Sequence, residues 1–92
     1  METKRVIVTV IGEDRVGIIA AVSKALADNR INILDISQTI LQEFFTMIMI
    51  VDISQSPLGI HELQDILSVL GNDLGMQIQA QHEDIFRFMH RI

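Results

Sequence analysis

Two stretches with helical spacing of apolar residues are each flanked by runs of β-branched residues, and this order limits the possible folds most strongly. Residues 5–11, R-V-I-V-T-V-I, predict a first strand because valine and isoleucine favour extended backbone. Both faces of that strand are largely apolar, so we expect it to be central in its sheet. Residues 16–29 follow with apolar side chains at helical spacing and predict the first helix.

The middle of the chain predicts two strands and the second helix. Residues 31–41 and 44–53 read as strands joined by a tight turn at Gln42 and Glu43. Leu34, Ile36 and Ile40 are predicted to share one face of the earlier strand. The second helix carries one apolar stripe over residues 60–74, and Gly71 or Gly75 is predicted to end it. Ser56 suits the N-cap of this helix and Pro57 its first position.

The order of elements predicts the fold class. Residues 76–81 alternate apolar side chains with glutamines and predict a fourth strand with one buried face. The order β-α-β-β-α-β with right-handed crossovers gives a four-stranded antiparallel sheet with two helices on one face, the ferredoxin-like α+β fold. Residues 83–92 predict a short amphipathic helix, which we expect to pack on the remaining face of the sheet, in its own subunit or in a partner's.

The turn between the first strand and the first helix, I-G-E-D-R-V-G-I, has the chemistry of an anion site. Gly12 and Gly17 permit a tight turn, Asp14 suits the N-cap of the helix, and Arg15 adds a positive charge. A helix that starts after such a turn points backbone N–H groups and a positive dipole end at one crevice, which suits a carboxylate. A capped turn without a ligand fits these residues equally well, and the local pattern leaves both interpretations open.

Composition argues against several other classes of function. The formal net charge is −5 with no basic stripe, which disfavours a nucleic-acid surface. The chain has no cysteine, and its three histidines are scattered, so we expect no metal site. No apolar run approaches the length of a membrane span, and a cytoplasmic protein without membrane contact is the expectation. No arrangement of residues suggests catalysis or a cofactor.

The whole chain resembles a stand-alone ACT domain followed by a C-terminal helix, and it is similar to half of the glycine-cleavage-system repressor. The resemblance rests on G-E-D-R-V-G-I at residues 12–18 and on I-N-I at residues 31–33. Val16 stands where the family's D-R-P-G motif usually has proline. The resemblance places the ACT domain at residues 1–82 and the additional helix at residues 83–92.

The resemblance implies a regulatory module without catalytic activity, in which two subunits pair edge to edge and an amino acid lies at their interface. A regulated protein partner is a further expectation. An alternative is a protein-interaction or oligomerisation module in which the loop has lost its ligand. Backbone amides at Val16, Gly17 and Ile18 would hold the α-carboxylate, Asn32 would bridge carboxylate and amine, and Asp14 would pair with the ammonium group unless it caps the helix. The predicted ligand-binding residues are therefore Gly12, Asp14, Arg15, Val16, Gly17, Ile18 and Asn32.

Overall fold

The computed structural model describes residues 4–84, and its elements follow the predicted order. The four strands form one sheet in the order β2-β3-β1-β4, and every neighbouring pair is antiparallel. This is the predicted ferredoxin-like α+β fold. The elements are β1 (Arg5–Glu13), α1 (Ile18–Asp28), β2 (Asn32–Leu41), β3 (Phe44–Asp52), α2 (Ile60–Leu74) and β4 (Met76–His82).

The core lies between the two helices and one face of the sheet. Alternate residues of β1 point into it, and Val6, Val8 and Val10 are fully buried. Strand β1 lies between β3 and β4, which confirms that it is central. It is two residues longer than predicted, because Gly12 and Glu13 still pair with β3. The helices contribute Ile18, Val22 and Leu26 from α1 and Leu63 and Leu67 from α2.

Both helices start later than predicted. Helix α1 begins at Ile18 with Gly17 at its N-cap position, and no side chain caps it, so the assignment of Asp14 as the cap was wrong. Helix α2 begins at Ile60 rather than Pro57. The Oγ of Ser56 instead accepts a hydrogen bond from the backbone N–H of Leu58 at 3.1 Å, which closes a local turn before the helix.

Two glycines near the end of α2 have different structural roles. Gly75 has a left-handed backbone (φ 70°) just past the helix and ends it, and its N–H donates to the carbonyl of Gly71. Gly71 lies inside the helix instead. A Cβ at position 71 would come within 2.6 Å of the carbonyl oxygen of Met76. The missing side chain therefore lets α2 approach β4 closely.

Strand β2 is an edge strand with a local irregularity. Its pairing with β3 shifts between Ile33 and Asp35, so Leu34 lies in a bulge. Ile36 and Ile40 pair with buried residues of β3 and share the helix-covered side of the sheet, as predicted. Leu34 does not continue their alternation, because it is itself the extra residue of the bulge and has no partner in the register with β3. A bulge leaves no regular signature in a single sequence.

The predicted C-terminal helix lies almost entirely outside the described residues. Only Glu83 and Asp84 are described after β4, and they have helical backbone. Within residues 4–84, no helix is long and apolar enough to cross a bilayer.

Candidate functional site

The loop between β1 and α1 is held in place from two sides. The backbone N–H of Asp14 donates to the carbonyl oxygen of Glu43 at 2.8 Å, which ties the loop to the turn between β2 and β3. The Nη1 of Arg15 donates to the carbonyl oxygen of Leu74 at 2.7 Å, which ties it to the last turn of α2. The positive charge of Arg15 also interacts favourably with the negative end of the helix dipole at the last turn of α2. The loop is therefore anchored before any ligand arrives.

The start of α1 has unpaired backbone donors. The first helical hydrogen bond runs from the N–H of Ala21 to the carbonyl oxygen of Gly17 at 2.9 Å. The three amides before it, at residues 18–20, have no acceptor one turn back in the helix. Neither a capping side chain nor an acidic residue in the first turn offsets their positive charge. This end of the helix favours an anion.

The backbone at Gly17 requires glycine and opens toward solvent. Its φ of +92° lies in the left-handed region, and a Cβ built there would meet no atom within 4 Å. The preceding side chain, Val16, is fully exposed. Space for a ligand is therefore present beside the first turn of α1.

An open cleft of about 310 Å³ lies between the loop and the end of α2. Glu13, Asp14 and Arg15 line it on one side, and Leu74 and Gly75 on the other. Two carboxylates and the negative end of a helix dipole make most of this lining acidic in character. The loop thus combines donors that suit a carboxylate with acceptors that suit an ammonium group.

Two of the predicted ligand residues have structural roles that the sequence did not reveal. Arg15 binds the carbonyl of Leu74 and so serves at least as a tether between the loop and α2. A Cβ at Gly12 would come within 2.6 Å of the Sδ of Met76, so the absence of a side chain makes room for the end of the Met76 side chain. Neither contact has a local sequence signal, because each joins residues about sixty positions apart.

Asn32 lies at the opposite end of the sheet from the loop. Strands β1 and β2 are both antiparallel to β3 and so run in the same direction. Asn32 therefore lies beside Asp52, whereas the loop lies beside Glu43. The 10 residues of β2 span about 30 Å. A single subunit does not bring Asn32 to Gly17.

Hydrogen bonds to Asp52 stabilise the end of the sheet where Asn32 lies. Its Oδ1 accepts from the backbone N–H of Ser54 at 2.9 Å and from that of Lys4 at 3.3 Å. These bonds, that to Ser54 first, lower the pKa of Asp52 below its ordinary value, and the charge of Arg5 adds to the effect. Within residues 4–84, no group of three or more histidine and carboxylate side chains could hold a metal ion.

The two edges of the sheet differ in how they are protected. All of β2 is exposed except Ile33, although the strand carries several large apolar side chains. At the other edge, α2 packs along β4, and the Nε2 of Gln64 donates to the carbonyl oxygen of Ala80 at 2.7 Å. Exposed apolar edges are rare in proteins that stay monomeric. The exposed large apolar residues of β2 are Leu34 (43% exposed), Ile36 (43%), Ile40 (55%) and Leu41 (72%).

The sequence profile of the ACT domain matches residues 4–81. The chain belongs to the ACT-domain family. ACT domains are regulatory modules, which agrees with the predicted class of function, and the loop and β2 described above are parts of this ACT domain.

Similar proteins extend over the whole ACT domain. A UPF0237 protein of Methanocaldococcus jannaschii is 56% identical over 88 residues, which cover 96% of this chain and 98% of that protein. The structure of an ACT domain protein from Streptococcus pneumoniae superposes with a TM-score of 0.81 at 38% identity, covering 92% of this chain and 96% of that one. A structure described as a glycine cleavage system transcriptional repressor shares the fold, with a TM-score of 0.77 at 24% identity. The superposition covers 89% of this chain and 47% of the repressor chain.

Proposed function

We propose that this ACT domain is a non-catalytic regulatory protein that binds a free amino acid as a homodimer. The observation that carries the proposal is the uncapped start of α1, together with the open space beside Gly17, where a Cβ would meet no atom within 4 Å. The acceptors of Glu13 and Asp14 on the same loop favour a zwitterion over a simple anion. An α-amino acid supplies a carboxylate and an ammonium group in one small molecule.

The proposed dimer forms by pairing of β2 with β2 of a second copy. The strand has an unpaired backbone edge and exposed apolar side chains, whereas α2 and Gln64 protect the edge at β4. Pairing about a two-fold axis makes the two β2 strands antiparallel. Asn32 of one copy then lies near Leu41 of the other, at the end of β2 where the second copy has its loop.

This pairing would bring Asn32 of one subunit close to Gly17 of the other. Within one subunit, the length of β2 places the two residues about 30 Å apart. Antiparallel pairing brings the loop of each subunit close to Asn32 of the other. The proposed dimer therefore has two equivalent sites, and each site needs both subunits.

The test is thermal unfolding of the protein with each of the twenty amino acids at millimolar concentration. A ligand present at a hundred times its Kd adds about 2.7 kcal/mol to the stability, which raises the Tm by several degrees for a domain of this size. We expect one amino acid or a small group to raise the Tm. We also expect Asn32→Ala to remove the shift while the circular dichroism spectrum stays unchanged.

A protein-interaction module is the second candidate, and exposed apolar side chains favour it. Val16 is fully exposed in the loop, and Phe44, which pairs with Glu13 at the start of the loop, is 52% exposed. A folded dimer whose Tm responds to no amino acid would contradict ligand binding and support this second function.

A further inference from the structure

The sheet face away from the helices is buried at one end and exposed at the other. Ile7 and Ile11 lie on this face of the central strand, and each is flanked by a glutamine of β4 and a β-branched residue of β3. Despite these similar neighbours, Ile7 is 5% exposed and Ile11 is 48% exposed. On β3, Ile50 beside Ile7 is likewise more buried than Ile48, which is 40% exposed.

The two described helices do not account for this burial. Both helices pack on the opposite face, where they form the core with Val6, Val8 and Val10. The buried end of the open face is the end at which β4 finishes, because Gln81 pairs with Ile7. The chain leaves the sheet there, with Glu83 forming an ion pair with Arg5 at 3.5 Å.

We propose that residues 85–92 cover this end of the face, over Ile7 and Ile50 of their own subunit. The segment reads I-F-R-F-M-H-R-I, so five of its eight side chains are large and apolar. Eight residues in a helix extend about 12 Å. The distance from β4 across β1 to β3 is about 10 Å, so the segment is long enough to reach Ile50.

Charge favours the same placement. Asp52 lies beyond Ile50 along β3 and Asp35 pairs with Ile50 from β2, so two carboxylates border the buried patch, where Arg5 beside Asp52 is the positive charge on β1. The segment carries Arg87 and Arg91 and no acidic residue. An amphipathic segment with two arginines therefore matches an apolar patch bordered by aspartates.

The scarcity of aromatic residues gives a direct test. The chain has four phenylalanines and no tryptophan or tyrosine. Phe45 is buried in the core, and Phe44 pairs with Glu13. Glu13 lies six residues from Ile7 along β1, which is about 20 Å. Nuclear Overhauser effects between the Ile7 methyl groups and any phenylalanine ring must therefore come from Phe86 or Phe88.

We expect such cross-peaks for Ile7 and Ile50 and none for Ile11. In the double variant Phe86→Leu, Phe88→Leu, which keeps the segment apolar, the cross-peaks should disappear. In a chain that ends at Asp84, the methyl shifts of Ile7 should change far more than those of Ile11. No cross-peak from Ile7 to an aromatic ring would overturn the proposal.

Isotope-mixed samples separate the subunit's own segment from that of a second copy. An equimolar mixture of labelled and unlabelled protein is unfolded and refolded together, and only contacts between copies then survive an isotope-filtered experiment. We expect the Ile7 cross-peaks to be absent from the filtered spectrum. Their presence would show that the segment covers a second copy and would contradict the proposal as stated. Neither result depends on amino-acid binding.

Discussion

At the scale of single residues, the loop between β1 and α1 shows how one backbone angle shapes the candidate site. The left-handed φ of Gly17 turns the chain into α1 without using a capping side chain. The amides of the first turn consequently stay open. Asp14, the residue with the best capping chemistry, instead hydrogen-bonds through its backbone to Glu43.

Substitutions at Gly17 should separate backbone strain from side-chain bulk. A Cβ has room at this position, so the cost comes from φ, and Gly17→Val should destabilise the protein by about 1–2 kcal/mol. Gly17→Asn should cost clearly less, because asparagine tolerates the left-handed region. Urea unfolding measures both variants. Equal destabilisation by the two substitutions would contradict the strain argument.

Arg15 should contribute to stability through its contact with α2. Arg15→Ala removes the hydrogen bond to the carbonyl of Leu74, and we expect a loss of about 1 kcal/mol in urea unfolding. Lys24→Ala is the matched control, because it removes only an exposed i,i+4 ion pair with Asp28, and solvent screens such a pair strongly. If Arg15→Ala proves no more destabilising than the control, the tether is not a stabilising contact.

Asp52 should make the stability depend on pH in the acid range. Its pKa is lower in the folded than in the unfolded state, so its contribution is present above the ordinary value of 3.8 and is lost as the pH falls through the folded value. Asp52→Asn keeps an acceptor oxygen but not the charge. The Tm difference between the parent protein and this variant should therefore be largest near neutral pH and shrink below about pH 4. A difference that stays constant from pH 7 to pH 2.5 would contradict this role.

At the scale of the elements, the strands were more predictable from the sequence than the helix ends. A run of β-branched residues located β1 to within two residues, because such side chains favour extended backbone, and apolar residues alternating with glutamines located β4 to within one residue, because one face of that strand must be buried. The starts of α1 and α2 were placed too early at Val16 and Pro57. Their true starts depend on turns whose backbone angles Asp14 and Ser56 do not determine.

The candidate site was predictable only in part. The glycine-rich loop was visible because it follows a strand and precedes a helix. The contact of Arg15 with Leu74 and the separation of Asn32 from Gly17 by about 30 Å depend on strand direction and on contacts distant in sequence. Such relations follow only from the assembled sheet.

The two edge strands should respond differently to added charge. In the double variant Ile40→Lys, Leu41→Lys, lysines replace exposed apolar residues of β2, and we expect the dimer to dissociate into folded monomers. The double variant Gln77→Lys, Gln79→Lys adds the same charge to β4 and should remain dimeric. Sedimentation velocity measures both. Dissociation by the β4 variant alone would place the interface at the other edge.

At the scale of the whole molecule, the open surfaces have distinct proposed uses. The edge at β2 would pair with a second copy, and one end of the free sheet face would bind the C-terminal segment. The loop would receive the ligand. The remaining exposed patch around Ile11 and Phe44 lies beside the loop, where a regulated partner would sense whether the ligand is bound.

A mixing experiment tests the shared site most directly. In the proposed homodimer, Gly17→Val should disable both sites by altering the loop, and Asn32→Ala should disable both by altering the start of β2. If each site uses the loop of one subunit and Asn32 of the other, a mixed dimer has one intact site. The two variants are unfolded together, refolded, and titrated by calorimetry with the amino acid that raises the Tm of the parent protein.

The account predicts that the mixture regains about one quarter of the parent's binding sites, because half of the dimers are mixed and each of those has one intact site. Either variant refolded alone should bind nothing. If the mixture binds no more amino acid than either variant alone, the loop and Asn32 do not form one site across the interface.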